Sequence, residues 1–226
     1  MTPTTELVTV TNRHNPSGRL VDRDELSALA SRVAADGARL LVDEVYAPFV
    51  TAEHTVDGPF GAPSAVGLDD TVVTGSLTKF HGLGDVRVGW LIADRAFAAE
   101  ARRVRHHVPA VARTSVKMAE RAVYHADELA DRSRNLVAQN ASLLTDFVES
   151  RDDIDGFVAP DSTFAFLDPE HADGDQLVEA AWENGLLVVP GRFFDDPGRV
   201  RVSLGHAPED MRVALEQLGE VLDRLR

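Results

Sequence analysis

Of the 23 basic residues in this 226-residue chain, only Lys79 and Lys117 are lysine; the other 21 are arginine. Arginine stays protonated at physiological pH, whereas a lysine amine can be tuned to lose its proton and act as a nucleophile. A chain that writes arginine wherever charge alone is needed makes each retained lysine a candidate for amine chemistry. Lys117 lies in an ordinary helical stretch, 114–120, and reads as a surface side chain. Lys79 has a different setting, in the run GSLTK (75–79) directly after a predicted strand, with Arg87 eight residues on. Two further groups also follow strand ends, where open α/β sheets place their ligand sites. One is Asn15 in the turn Asn15-Pro16-Ser17-Gly18; the other is Asp43 with Tyr46. Each alone has a bland reading, since Asn, Pro, Ser and Gly make turns anywhere and an Asp after a strand often caps a helix.

The elements that must position these residues are legible from periodicity and punctuation. Residues 7–11, 39–42, 71–74 and 87–93 read as strands, being short, apolar and rich in β-branched side chains. Asp22 followed by Glu25 reads as a capping box that opens a helix with Leu26, Leu29 and Val33 on one face and Gly37 as its stop. Asp94 caps a second helix to about residue 105. The stretch 114–150 is helical, with a break expected between His125 and Leu129. Residues 58–63 read as a Gly- and Pro-rich loop. Beyond about Asp152 the texture changes to short strands (164–167, 186–189, 199–204) and a helix at 176–183. A last helix opens at Pro208, and its apolar positions Met211, Leu215, Leu218, Leu222 and Leu225 form one stripe. Strands alternating with helices predict an α/β fold with a mostly parallel sheet, and the change of texture predicts a boundary near residue 150.

Composition sets outer bounds. With 44% hydrophobic and 27% charged residues the chain is globular, and its length suffices for a sizeable core. No apolar run approaches the span of a bilayer and no signal-peptide pattern is visible. The absence of cysteine excludes thiolate metal sites and fits a reducing, cytoplasmic compartment. A net charge of −14, spread along the chain, repels nucleic acid and anionic membranes, and with the arginine bias it suits a high-salt setting. His106 and His107 have no third partner at metal-ligand spacing, so no metal site is expected. Arg102, Arg103 and Arg105 read as a helix face paired with acids.

Taken in order, five segments carry a resemblance: TNRHNPSG (11–18), LVDEVY (41–46), GSLTKFHGLGDVRVGW (75–90), VVPG (188–191) and RVRVS (199–203). The chain resembles the class I/II aminotransferases among the fold-type I pyridoxal-phosphate enzymes, and the Ser-x-x-Lys with its following Arg is the most specific part. The resemblance implies that Lys79 is the Schiff-base lysine for pyridoxal 5′-phosphate and later moves a proton from substrate Cα. It implies that Asp43 faces the pyridine nitrogen, and that Tyr46 and Asn15 hydrogen-bond the phenolic oxygen of the ring. By the same likeness Ser76 and Arg87 bind the phosphate, and Arg201 grips the substrate carboxylate. A homodimer that moves an amino group between an amino acid and a 2-oxo acid is expected, with residues 1–150 a partial cofactor-binding large domain and 151–226 a small α+β domain.

Two departures qualify the likeness. Family members carry a further domain-length stretch before the first matched segment, holding a glycine-rich phosphate loop and a ring-stacking aromatic, and this chain is expected to be a fragment or one half of a split protein. Asp85, two residues from Arg87, stands where relatives more often have a small or apolar residue. Alternative readings stay open: a decarboxylase or carbon–sulfur lyase on the same scaffold, or a truncated, inactive remnant serving as an interaction module.

Overall fold

The structure, a computed structural model, describes residues 1–2, 4–50, 63–108 and 110–226. The loop expected at 58–63 lies outside these residues except for Pro63. The fold is α/β: among the described residues a four-stranded, mostly parallel sheet with flanking helices is followed by a small α+β portion. Two compact units form, one of Met1–His14 with Leu20–Ser133 and the other of Asn15–Arg19 with Arg134–Arg226.

In the first unit the sheet runs β1 (Leu7–Thr11), β2 (Arg39–Asp43), β3 (Thr71–Ser76), β4 (Gly89–Ile92). The first three strands are parallel and β4 pairs antiparallel with β3. Alternation along β2 buries Leu40 and Val42 on one face and leaves Asp43 on the other. Those buried side chains meet Leu26, Ala30 and Val33 of α1 (Arg23–Ala35). The expected capping box opens α1: the Asp22 carboxylate accepts from Glu25 N at 2.8 Å, and the Glu25 carboxylate accepts from Asp22 N. α2 (Arg95–Val104) begins at Asp94, which accepts from Phe97 N at 2.9 Å. α3 (Arg113–Tyr124) and α4 (Ala126–Glu149) are separated at His125, inside the expected break. The Lys117 ammonium sits exposed, 2.7 Å from Glu120, and Arg103 pairs with Glu100 at 2.9 Å.

The second unit is built on the antiparallel order β5 (Ile154–Asp155), β6 (Phe164–Pro169), β8 (Val200–Ser203), β7 (Val189–Pro190). Its core joins Leu167 and Val200 from the sheet to Leu177 and Ala181 of α5 (Gly174–Glu183), Leu144 of α4 and the stripe of α6 (Pro208–Leu225). Met211, Leu215, Leu218 and Leu222 are buried as the 4–3–4 spacing requires, and Leu225 packs against them. The division between the units falls inside α4, at Ser133/Arg134, whereas residue 150, where the texture changes, lies just past its C-terminus. A continuous helix leaves no turn signal at the point where its neighbours change.

One ion cluster clamps the second unit. The buried Asp153 carboxylate takes a forked pair of hydrogen bonds from Arg151, at 2.7 Å each, and a third from Arg226 Nε at 2.8 Å. Arg151 also reaches Asp223 on α6. Arg151 above all, with help from Arg226, holds the Asp153 carboxyl well below the usual carboxylate range despite its burial. Such a depressed group stabilises the fold above its unfolded-state pKa of about 3.9, and that contribution drains away as the pH falls below it. Asp153→Asn is expected to cost about 2–3 kcal/mol at pH 7, less than the full penalty for breaking a buried pair because Arg226 reaches solvent. Denaturant titrations of both proteins check this, and the gap between them should close as the pH is lowered through 4 towards 2.

Candidate active site

The carboxyl ends of β1, β2 and β3 lie side by side, with Thr11 registered against Asp43 and Asp43 against Thr74. Asp43 is therefore the last residue of a central strand. Its Oδ1 accepts from Thr74 Oγ1 at 3.1 Å and from Val45 N at 3.2 Å. These two donors fix the carboxylate on the sheet face opposite α1. Three residues on, half-buried Tyr46 caps a short 3-10 turn, Ala47–Phe49.

β3 ends at Ser76, and the loop from β3 to β4 carries Lys79 and Arg87. Because β4 returns antiparallel, the loop is closed at its base by Leu77 N donating to Val88 O at 3.0 Å. Gly75 permits this closure, since a Cβ there would stand 2.7 Å from the ring of Trp90, its partner across the strands. Ser76 Oγ accepts from Thr78 N at 3.2 Å, making a tight turn that presents Lys79 with its side chain exposed. Gly82 N returns to Lys79 O at 3.1 Å, and Leu83 N to Leu77 O at 3.1 Å.

Arg87 is not in a strand. The expected strand 87–93 shortens to Gly89–Ile92, and Arg87 caps a 3-10 turn (Gly84–Val86) in the left-handed region, at φ 55°. Glycine takes such caps without penalty, while any other residue gives up roughly 1–2 kcal/mol. An exposed arginine kept in that conformation points to a use for its side chain. Asp85 sits in the same turn, exposed.

Asn15 and Arg201 belong together in the second unit, 186 residues apart in sequence but joined by Arg201 Nη1 donating to Asn15 Oδ1 at 2.8 Å. The Arg201 guanidinium is also held by aromatic faces, 5.1 Å from the Phe194 ring centroid and 5.7 Å from Phe164. Of the neighbouring phenylalanines, Phe193 is exposed and Phe194 is the one that meets Arg201. Thus Asp43, Tyr46, Ser76, Lys79 and Arg87 are arranged within one unit, and Asn15 with Arg201 within the other.

Sequence reasoning passed over Glu44. Its carboxylate accepts from Ser64 Oγ at 2.8 Å and Ala65 N at 2.7 Å, pinning the chain that leads to β3 beneath Asp43. Burial pushes its carboxyl above the ordinary glutamate value, although the Ala65 and Ser64 hydrogen bonds oppose the shift. Its alternation with Asp43 was the available signal: consecutive acids at a strand end must face opposite ways, so one of them needs a buried partner.

The description "Aminotransferase class I and II" belongs to the family model that matches residues 2–218. A capreomycidine synthase from Streptomyces vinaceus is 31% identical, the match covering 96% of this chain and 56% of that protein. A histidinol-phosphate aminotransferase from Halorubrum lacusprofundi is 27% identical over 96% of this chain and 55% of its own length. The crystal structure of a PLP-dependent aminotransferase from Streptococcus suis matches with a TM-score of 0.89 at 25% identity, covering 100% of this chain and 59% of that one. The chain spans a little over half the length of the relatives it matches.

Proposed function

Because the chain belongs to the class I and II aminotransferase family, we propose that it is the portion of a pyridoxal-phosphate-dependent aminotransferase that holds the cofactor amine and the substrate carboxylate. The observation that carries this reading is the placement of Asp43 at the carboxyl end of β2 beside β3, whose loop presents Lys79 and Arg87. The donor set suits the cofactor: an amine for its aldehyde, a fixed carboxylate for its ring nitrogen, and a hydroxyl with a guanidinium for its phosphate.

When bound, the cofactor supplies an electron-accepting ring conjugated to the carbon that receives the amino group. The chain's own residues then have defined tasks. Lys79 Nζ would hold the cofactor through its aldehyde and, when neutral, would accept the proton from substrate Cα. The Asp43 carboxylate, its orientation set by Thr74 and Val45, would face the ring nitrogen and favour its protonated form. Tyr46 would hydrogen-bond the phenolic oxygen, a role that the family likeness also assigns to Asn15. Arg87, with Ser76, binds the phosphate, for which a planar guanidinium suits paired hydrogen bonds. Arg201 binds the substrate carboxylate, with its plane fixed by Phe194 and Phe164 and one donor spent on Asn15. In this scheme residues 1–150 carry the cofactor and 151–226 the substrate carboxylate. The family relationship further supports a homodimer, and the −14 charge with its arginine bias supports a cytoplasmic, salt-rich setting. Among the described residues no helix is long and apolar enough to cross a membrane.

A second reading, cofactor chemistry without net amino transfer, is favoured by one observation: the 31% identical relative is named a synthase. Labelled substrate separates the two. Incubation with 15N-amino acids and a panel of 2-oxo acids is expected to move the label into a new amino acid. Release of labelled ammonia, or of carbon dioxide, without that transfer would favour the second reading and remove the first.

A further inference from the structure

The exposed side chain of Lys79 rides on backbone that is gripped from one residue away. Phe80, its neighbour, is buried to 1% exposure and is held at two points. Its carbonyl accepts from Ser133 Oγ at 2.6 Å, a short and buried hydrogen bond to α4 across a separation of 53 residues. Its ring stands edge-on to Phe49 at 4.9 Å and 89°, and Phe49 closes the 3-10 turn that Tyr46 caps. The next carbonyl, of His81, receives Arg132 Nη2 from the same helix at 3.4 Å. Serine inside a helix more often bonds back to its own turn. Here the hydroxyl is spent on a distant carbonyl instead.

We propose that Ser133 is a positioning residue for Lys79, fixing through the Phe80 carbonyl the turn that presents the amine beside the segment of Asp43 and Tyr46. The inference rests on the reading of Lys79 as the cofactor amine, but its first test does not need the cofactor. With Ser133→Ala the buried Phe80 carbonyl loses the hydrogen bond from the Ser133 hydroxyl, so the turn opens more often. Gly82 N, which donates to Lys79 O, reports that opening directly.

Hydrogen exchange in the cofactor-free protein is expected to quicken at the Gly82 amide by roughly tenfold in Ser133→Ala, with amides of α1 unchanged. Attachment of pyridoxal phosphate to Lys79, trapped by borohydride, is expected to slow by about the same factor, while Ser133→Thr, which keeps the hydroxyl, retains both values within about twofold. If Ser133→Ala fails to fold, Ser133→Cys keeps the volume with a poor donor and takes its place. Unchanged exchange at Gly82, or an equal slowing of attachment in the threonine variant, overturns the proposal. Wild-type protein that never attaches the cofactor refutes the functional reading instead, and leaves the exchange result to decide the role of Ser133.

Discussion

Lys79→Ala is expected to abolish amino transfer, by more than about 10⁴-fold, while leaving stability within about 0.5 kcal/mol of the parent. The rate loss follows from two tasks in one amine. In the proposed reading the side chain would both attach the cofactor and move the proton at substrate Cα, and a single positioned proton carrier alone contributes about 10²–10⁴. Stability is spared because Lys79 is exposed and the turn is fixed by backbone and neighbours: Gly82 N on its carbonyl, Thr78 N on Ser76, Ser133 on Phe80. Lys79→Arg is expected to fail as completely as alanine. It keeps the charge and most of the length, yet a guanidinium does not become a neutral nucleophile. Rates and melting curves for the three proteins check this. An arginine variant with a tenth of the parental rate would show that charge, not amine chemistry, is what the position supplies.

Asp43→Asn should lower amino transfer by about 10²–10³, the scale for losing one preorganised electrostatic partner of a reacting group. The substitution is nearly isosteric, and an amide oxygen can still accept from Thr74 Oγ1 and Val45 N, so the strand end keeps its hydrogen bonds. What goes is the negative charge that, in the proposed reading, would favour a proton on the ring nitrogen. Asp43→Glu retains the charge but moves the carboxylate off the two donors that aim it, and is expected to fall between parent and asparagine. The contrast is read from kcat at saturating cofactor, with cofactor affinity measured separately. Equal rates for Asp43→Asn and the parent would remove Asp43 from the chemistry and leave it a strand-end acceptor.

What the sequence made legible, and what it hid, divides along local and non-local lines. The capping box of Asp22 and Glu25, the break at His125 and the stripe from Met211 to Leu225 rest on spacing within one element, and all appear in the structure. So do the strand that ends on Asp43 and the strand that ends three residues before Lys79. The strand expected at 186–189 survives only as Val189–Pro190, because its pairing with β8 begins at Val189 and proline ends what it can donate. Arg87 looked like the start of a strand, since its β-branched neighbours Val86 and Val88 suit one; the left-handed cap depends on the turn before it. Thr74, Ser133 and Phe49 could not be tied to the site from spacing at all. Their roles arise from strand register and helix packing across 31 to 53 residues. The Asn15–Arg201 hydrogen bond spans 186 residues and is invisible for the same reason.

The scarcity of lysine that first singled out Lys79 also makes the central claim easy to test. The 226-residue sequence carries only two side-chain amines able to react with an aldehyde, Lys79 and Lys117. Stoichiometric pyridoxal phosphate, borohydride reduction, proteolysis and mass spectrometry therefore give an unambiguous map. The expected result is a visible absorbance band before reduction that is absent in Lys79→Ala, and after reduction one cofactor per chain, on the peptide containing Lys79. No adduct on folded protein, or adduct shared evenly between Lys79 and Lys117, would contradict the account.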